Sequence, residues 1–181
     1  MKVVGAMALS LDLSKAFDMV RREDLLRSLQ VLGAEARDIE LVVQLHTDTV
    51  YHMSRGGERG TSITSNGIKQ GCKLAPLLWT ALTLTIMQTA SDKWEVASSL
   101  LEDCLTLCAD DFLHQEVFRS MGELEAILQR IDTLLQVLSN AGLEVNPAKS
   151  SVLLDLRVKD AAEPCVSTAA IHYTESPNQA P

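Results

Sequence analysis

The sequence predicts an α+β fold in which helices pack on one face of a mainly antiparallel sheet. Short apolar runs without helical periodicity alternate with longer segments whose leucines recur every three or four residues. The order of these segments is strand, two helices, hairpin, helix, hairpin, helix and strand. Apolar residues make up 46% of the 181 residues and charged residues 22%, proportions that are typical of a globular domain with a substantial core.

The first half of the chain is predicted to contain a buried strand, two helices and a hairpin. Residues 3–11, "VVGAMALSL", form a continuous apolar run that predicts a central strand, with Asp12 at its carboxyl end. Leucines at helical spacing predict a helix over 23–33 that a glycine closes, and a second helix is expected over 36–46. Two short runs around a Gly-Gly turn predict a hairpin within 50–65.

The second half is predicted to contain two long helices and three strands. "NGIKQGCKLAP" is expected to be a loop, and its proline suits the first turn of the helix that follows. Two strands flank Asp110 and Asp111, so the aspartate pair is expected at the tip of a hairpin. The predicted elements are a helix over roughly 75–93, strands near 103–109 and 112–117, a helix over about 119–141 and a last strand, "SSVLLDLRV".

Composition divides the chain into one domain and a tail. Residues 1–158 hold all of the predicted elements. Beyond them the sequence becomes rich in Ala, Pro, Ser, Thr and Asn and has few large apolar residues. Such a composition buries too little apolar surface to offset the entropy of ordering. We therefore expect a disordered tail over 159–181.

Charge and cysteine content limit the classes of partner and site. The net charge of −8 and the pI near 4.9 argue against a protein that grips nucleic acid with its whole surface. The four cysteines show no C-x-x-C spacing and the histidines are scattered, which disfavours a zinc site. Cys104 and Cys108, in one predicted strand, are expected to pack on one face as small apolar residues. A reducing, intracellular compartment is expected, and the nucleus is one candidate.

The longest apolar segment does not predict a membrane span. "LAPLLWTALTLTIMQTA" contains a proline and four threonines and is shorter than a confident bilayer-spanning helix. It is better interpreted as a buried helix, and we expect no membrane association.

Three aspartates are the candidate metal ligands. Asp12 ends one predicted strand, while Asp110 and Asp111 lie at a hairpin tip. If those strands are neighbours, the carboxylates meet at one end of the sheet, where a hard cation such as Mg²⁺ or Mn²⁺ would offset their repulsion. The simpler interpretation is an ordinary strand end and an ordinary polar turn.

Four motifs in register favour the first interpretation. "LDLSKAFDMV" (11–20), "GIKQGCKLAPLLW" (67–79), "LCADDF" (107–112) and "GLEVNPAKS" (142–150) follow the order and spacing of motifs A to D of reverse transcriptases. The sequence resembles the reverse transcriptase of a non-LTR, LINE-type retrotransposon, and the resemblance covers roughly residues 5–157. It implies a palm-type domain of an RNA-directed DNA polymerase with two Mg²⁺ or Mn²⁺ ions. Its partners would be an RNA template, a DNA primer and deoxynucleoside triphosphates.

The resemblance also implies residue roles. Asp12, Asp110 and Asp111 match the catalytic, metal-binding aspartates, with Asp111 less directly bound, and Lys149 matches a proton donor to pyrophosphate. The positions that would contact the incoming nucleotide are Lys15, Ala16, Phe17, Gln70 and Gly71, of which Phe17 would exclude the ribose 2′-hydroxyl. Simpler interpretations are core packing for Phe17 and solvated surface charges for Lys15, Lys69, Lys73 and Lys149.

Departures from the family pattern leave activity open. Cys108 stands where the family usually has tyrosine. The sequence also shows no counterpart of the fingers strands before motif A or of the helical thumb after motif D. We therefore expect a truncated mobile-element protein that lacks the fingers and thumb segments. Two alternatives are a catalytically inactive remnant that serves as an interaction domain, and another palm-type nucleotidyl transferase such as a nucleotide cyclase.

Overall fold

The computed structural model describes residues 3–47, 49–69, 71–94, 103–158 and 165–170. The chain divides into two compact units. The first, here called the sheet unit, comprises Met1–Leu13, Ser99–Asp132 and Val145–Pro181, and the second, the helical unit, comprises Ser14–Ser98 and Thr133–Glu144.

The sheet unit is built on an antiparallel sheet with the strand order β4-β5-β1-β7-β8, and β6 pairs with β1 outside this order. This arrangement confirms the expected mainly antiparallel sheet, in which the first strand of the chain is central. The strands are β1 (Val3–Ser14), β4 (Leu105–Cys108), β5 (Asp111–Phe118), β6 (Glu144–Val145), β7 (Ser151–Val158) and β8 (Cys165–Ala170).

One face of this sheet carries the core of the sheet unit. Alternate β1 residues, among them Met7, are buried because side chains alternate between the two faces of a strand. Met7 and Phe118 cluster with Leu124 and Ile127 from helix α5 (Met121–Asn140). The opposite face is more open, and Val117 there is 74% exposed. Helical packing on one face of the sheet is thus observed in this unit.

Gly5 allows the strands of this core to approach closely. A Cβ atom added at this position would lie 2.5 Å from the backbone oxygen of Asp155, and it would also meet the ring of Phe118. Real Cβ atoms do not approach other atoms this closely, so a side chain at this position would push β1 away from both neighbouring strands.

The helical unit contains four of the described helices in full, the C-terminal part of α5 and a two-stranded hairpin. Its helices are α1 (Ala16–Met19), α2 (Arg22–Val31), α3 (Ala36–His46) and α4 (Ala75–Trp94), and its strands are β2 (Thr49–Arg55) and β3 (Glu58–Thr64). The turn of the hairpin falls on Gly56 and Gly57, whose φ angles of 60° and 90° favour glycine. Helix α4 buries Leu78, Leu82 and Ile86 along one stripe, as expected of a core helix. No described helix is both long enough and apolar enough to cross a membrane.

The structure differs from the sequence prediction in three places. Cys104 lies at a helix end and is buried, whereas Cys108 lies in β4 and is exposed, so the expected shared strand and common packing are wrong. Within the expected disordered tail, Cys165–Ala170 form β8 because their backbone groups pair with β7. Residues 159–164 and 171–181 lie outside the described residues, and the tail there stays a prediction. The short elements α1 and β6, of four and two residues, were not predicted because each is too short for a hydrophobic pattern to repeat.

Candidate active site

A tight hairpin presents the motif C aspartates. Strands β4 and β5 pair as far as Cys108 and Asp111, which leaves a two-residue loop of Ala109 and Asp110. Ala109 has a φ of 53°, a left-handed conformation that is uncommon for alanine but usual in two-residue hairpin loops. Asp110 at the tip is half-buried, while Asp111 is the first residue of β5 and is exposed. The pair therefore lies at a hairpin tip, as predicted.

The register between β1 and β5 brings a third aspartate to this hairpin. Asp12 lies directly opposite Asp111, at the last pair of the ladder. Directly opposed residues of antiparallel strands project to the same face with their Cβ atoms about 5 Å apart. The cross-strand partner of Asp12 is therefore Asp111, whereas Asp110 lies one residue further along, in the loop.

The loop of residues 146–150 contacts Asp12 from its other side. The backbone N–H of Asn146 donates to the carbonyl oxygen of Asp12 at 2.8 Å, and the backbone N–H of Asp12 donates to Ser150 Oγ at 3.0 Å. Lys149 Nζ lies 3.6 Å from Asp12 Oδ1, with its side chain 66% exposed. Lys149 was predicted from the sequence, whereas Asn146 and Ser150 were not, because neutral residues that bond to backbone groups produce no charge pattern.

The donor set at this end of the sheet suits a hard divalent cation. Carboxylate oxygens are the ligands that Mg²⁺ and Mn²⁺ prefer. The only cationic side chain that the structure records within 4 Å of Asp12, Asp110 or Asp111 among the described residues is Lys149. The oxygens of the three aspartates do not all lie within 4.8 Å of one another. To share one ion, these half-buried and exposed side chains would have to turn toward each other.

The motif A residues that belong to the helical unit form a turn and the short helix α1. Lys15 is exposed and left-handed, with a φ of 49°, and its carbonyl oxygen accepts the N–H groups of Asp18 and Met19. Ala16 is buried as a whole residue, with 3% of its surface exposed. Phe17 is half-buried, and its ring stacks on that of Trp79 with centroids 4.7 Å apart. The ring of Phe17 is therefore held in place by packing yet still partly open to solvent.

The motif B loop approaches the same turn. The N–H of Ile68 donates to the carbonyl oxygen of Phe17 at 2.8 Å. Lys69 Nζ lies 6.0 Å from the centroid of the Tyr51 ring, within reach of a cation–π contact. Gly71 is exposed with a φ of 83°, and a Cβ added there would meet nothing within 4 Å, so a ligand can approach this backbone closely. Gln70 lies outside the described residues.

A second polar cluster was not predicted. Cys104, His114 and Glu116 offer ligand atoms that all lie within 4.8 Å of one another. However, His114 Nε2 lies 2.9 Å from Glu116 Oε1, and Arg130 bonds to both oxygens of Glu116. These contacts favour a hydrogen-bonded ion-pair network over a metal centre, because Arg130 already neutralises the carboxylate.

The pKa shifts in this cluster agree with that interpretation. Burial, followed by the negative charge of Glu116, raises the pKa of the Cys104 thiol to about 11. Burial alone would raise the pKa of Glu116, but the hydrogen bonds from His114 and Arg130 and the charge of Arg130 outweigh it, and the pKa lies below its ordinary value. At neutral pH the cluster therefore holds a protonated thiol and an ionised, paired carboxylate.

Comparison with known proteins agrees with the motif assignment. The family described as "Reverse transcriptase (RNA-dependent DNA polymerase)" matches residues 4–175. The Pol polyprotein of the type-1 retrotransposable element R2 from Popillia japonica is 30% identical over 90 residues, which are 49% of this chain and 15% of that protein. The chain therefore spans a small part of the length of this relative.

Solved structures show the same fold at low sequence identity. Apo telomerase from Candida tropicalis, truncated from its C-terminal domain, superposes with a TM-score of 0.65 at 15% identity, covering 87% of this chain and 31% of that one. Telomerase from Candida albicans, solved with a fragment of telomeric RNA, gives a TM-score of 0.58 at 14% identity, covering 87% and 27%. These likenesses confirm the expected palm-type α+β fold. The family match over nearly the whole chain confirms the reverse transcriptase resemblance noted in the motifs, and the similarity to an R2 retrotransposable element agrees with it: the chain belongs to the reverse transcriptase, or RNA-dependent DNA polymerase, family.

Proposed function

We propose that this chain is the palm of an RNA-directed DNA polymerase, which adds deoxynucleotides to a primer 3′-hydroxyl on an RNA template. The observation that carries the proposal is the placement of Asp12 opposite Asp111, beside a hairpin tip that holds Asp110. Together these residues put three acids at one end of a sheet, and among the described residues the cation recorded within 4 Å of them is the exposed Lys149. The family match supports the same chemistry.

Asp12, Asp110 and Asp111 would hold two Mg²⁺ or Mn²⁺ ions. Such ions supply activation of the attacking hydroxyl and stabilisation of the leaving pyrophosphate. Lys149, whose ammonium group lies 3.6 Å from Asp12, is placed beside these acids and is the proposed proton donor to pyrophosphate. Because its side chain is largely exposed, it can reorient without disturbing the core.

The incoming deoxynucleoside triphosphate would contact the turn after β1 and the motif B loop. In this proposal Lys15 and Ala16 form the turn that meets the incoming triphosphate, and Lys15 supplies a positive charge there. Gln70 and Gly71 would contact the nucleotide and the template. Phe17 would occupy the space of a ribose 2′-hydroxyl. Its stacking on Trp79 supports this role, since a ring that is already packed cannot move aside for an extra oxygen.

Primer extension on an RNA template with Mg²⁺ or Mn²⁺ tests the proposal. We expect little processive extension by the 181-residue chain, because a net charge of −8 gives it weak attraction for nucleic acid. Extension should appear when the fingers and thumb segments of its relatives are joined to it. In that extended protein Asp110→Asn should abolish activity, and Asp38→Asn, on the exposed first turn of α3, should not. If the extended protein binds template but never extends a primer, the chain is an inactive interaction domain.

The role of Phe17 is tested in the same extended protein. Overlap with a packed ring costs about 1–3 kcal/mol, so Phe17→Ala should raise the use of ribonucleotides relative to deoxynucleotides by about ten- to a hundredfold. The measurement is the ratio of kcat/KM for the two sugars, with a melting curve to confirm folding. If a folded Phe17→Ala variant keeps the same ratio of kcat/KM for the two sugars, Phe17 only packs against Trp79 and does not select the sugar.

A further inference from the structure

The backbone of Asp12 lies beyond the end of the ladder that pairs β1 with β7. The ladder between β1 and β7 begins at Val3 and Val158 and ends at Ser10 and Ser151. Asp12 is two residues beyond that last pair, so β7 offers its peptide groups no partner on this side. β1 itself continues to Ser14, and the short strand β6 also pairs with it. Backbone groups that lack such partners open more easily, and a carboxylate on an open backbone has no fixed direction.

The loop of residues 146–150 supplies the missing partners. It accepts from the Asp12 N–H through Ser150 Oγ at 3.0 Å and donates to the Asp12 carbonyl through the N–H of Asn146 at 2.8 Å. One hydroxyl and one backbone amide thus continue the hydrogen bonding of the sheet past the end of β7. On its other side Asp12 is paired with Asp111 of β5.

The loop is itself rigidly closed. The N–H groups of Ser150 and Lys149 donate to the carbonyl oxygen of Asn146 at 2.9 and 3.2 Å, and the N–H of Ala148 donates to Asn146 Oδ1 at 3.2 Å. Ser150 is only 4% exposed, so bulk water does not compete for its hydroxyl oxygen. The partner of Asp12 is therefore a hydrogen-bonded turn and not an open segment of surface chain.

We propose that Ser150 is a positioning residue for the metal site: its buried hydroxyl, with the amide of Asn146, holds the Asp12 backbone and so sets the direction of the Asp12 carboxylate. This inference rests on the proposed function, in which Asp12 is a metal ligand. Ser150 would not touch metal or nucleotide. Residues that orient metal ligands commonly change metal affinity or activity by ten- to a hundredfold when they are removed.

The alternative is that Ser150 is a buried polar residue whose hydrogen bond serves only stability. Both interpretations predict that Ser150→Ala lowers the melting temperature, because the Asp12 N–H loses its partner. They differ in metal affinity. A stability role leaves the affinity of the folded protein for Mn²⁺ unchanged, whereas a positioning role weakens it.

The test uses the 181-residue chain and two readouts. Hydrogen exchange measured by NMR reports on the Asp12 amide without any metal, and titration with Mn²⁺ followed by EPR reports on the metal site. The variants are Ser150→Ala, Ser150→Thr, which keeps the hydroxyl, and Ser150→Cys, which keeps the volume with a weaker acceptor. The matched control is Ser151→Ala, because Ser151 is exposed and is the neighbouring residue.

In Ser150→Ala we expect exchange of the Asp12 amide to accelerate about tenfold, the exchange of Met7 and Leu9 to be unchanged, and Mn²⁺ to bind about tenfold more weakly. Ser150→Thr keeps the accepting hydroxyl and Ser151→Ala removes one that is exposed, so both variants should stay within about twofold of the wild type. If Ser150→Ala does not fold, Ser150→Cys should show an intermediate change in both readouts.

Three results would overturn the inference. Unchanged exchange of the Asp12 amide would show that Ser150 does not hold this backbone. Faster exchange with unchanged Mn²⁺ affinity would leave Ser150 a purely structural role. If the wild-type chain binds no Mn²⁺ at all, the proposed metal site fails and the positioning role fails with it, while the exchange data still show whether the backbone contact exists.

Discussion

Strand β5 carries acidic groups in two very different settings. At its start, Asp111 faces Asp12 across the sheet beside Asp110, and the one cation recorded near these acids in the described residues is the exposed Lys149. Five residues later, Glu116 is largely buried and is bonded to both His114 and Arg130. The first group is here called the aspartate cluster and the second the Glu116 network.

The difference shows that compensation by a cation and hydrogen bonds accompanies the burial of a carboxylate in this chain. An ionised carboxylate away from water is costly unless a cation and hydrogen bonds compensate it, and the Glu116 network provides both. The aspartate cluster is open enough for water to solvate it, so folding does not require built-in cations. The negative charge of the aspartate cluster therefore remains available to a cation from solution.

The largest expected effect comes from breaking the Glu116 network. Arg130→Met leaves a mostly buried carboxylate without its cation and should lower the free energy of unfolding by about 3 kcal/mol, measured by urea denaturation. Arg59→Met, on the exposed strand β3, is the control and should change little. Adding Glu116→Gln to Arg130→Met should recover part of the loss. A folded Arg130→Met protein as stable as the control would mean that the pair contributes nothing.

Acid should weaken the Glu116 network selectively. The pKa of Glu116 lies below its ordinary value of 4.5, so its contribution to stability is complete above that value and is lost as the pH falls through the lowered pKa. The stability difference between the wild type and Glu116→Gln should stay constant from about pH 7 to about pH 5 and shrink in more acidic solution. Urea denaturation across this range measures it. A difference that stays constant into strong acid would contradict the assigned direction of the shift.

In the aspartate cluster, removing a charge should have the opposite sign. Asp111→Asn relieves repulsion from the directly opposite Asp12 and should raise the stability of the metal-free chain by about 0.5 kcal/mol, while weakening Mn²⁺ binding. Asp110→Asn, in the loop rather than opposite Asp12, should leave metal-free stability unchanged or raise it less. Thermal unfolding with and without Mn²⁺ gives both quantities. A clear loss of metal-free stability in Asp111→Asn would argue that the carboxylates do not repel each other.

The smallest effect is expected at Lys149. Its ammonium group is largely solvated, and exposed ion pairs contribute about 0–1 kcal/mol, so Lys149→Met should change metal-free stability by no more than about 0.5 kcal/mol. Mn²⁺ should bind as tightly as in the wild type or slightly more tightly, because a competing cation is gone. A strong loss of Mn²⁺ affinity in this variant would mean that Lys149 organises the aspartates rather than competing at them.

Much of the secondary structure was predictable because its signals are local. Helix α3 spans Ala36–His46 as predicted, since amphipathic spacing and the residues at its ends lie within one short stretch. The turn at Gly56 and Gly57 and the end of α5 before Gly142 follow from the backbone freedom of glycine. The family assignment was equally accessible, because four motifs in order carry information that no single motif has.

The contacts around the candidate site were less accessible. Stacking of Phe17 on Trp79, pairing of Arg130 with Glu116, and the bond from Asp12 to Ser150 join residues far apart in sequence. None of these contacts follows from the periodicity of the sequence. Ser150 is neutral, so it does not belong to any pattern of charged residues that would indicate a ligand site. The roles given to individual residues in metal and nucleotide binding stay predictions.

The sequence by itself determined which residue types reach the candidate site. Asp12 lies two residues before the end of an apolar strand, and Asp110 and Asp111 occupy a hairpin tip, because hydrophobic runs and turn residues define roughly where strands stop. Only the tertiary structure decided that Asp111, rather than Asp110, lies opposite Asp12 and that Ser150 holds its backbone. The physical reason is that strand register is set by the summed packing of a whole buried face, so that a shift of one residue exchanges the two faces of the strand. No short segment contains that information.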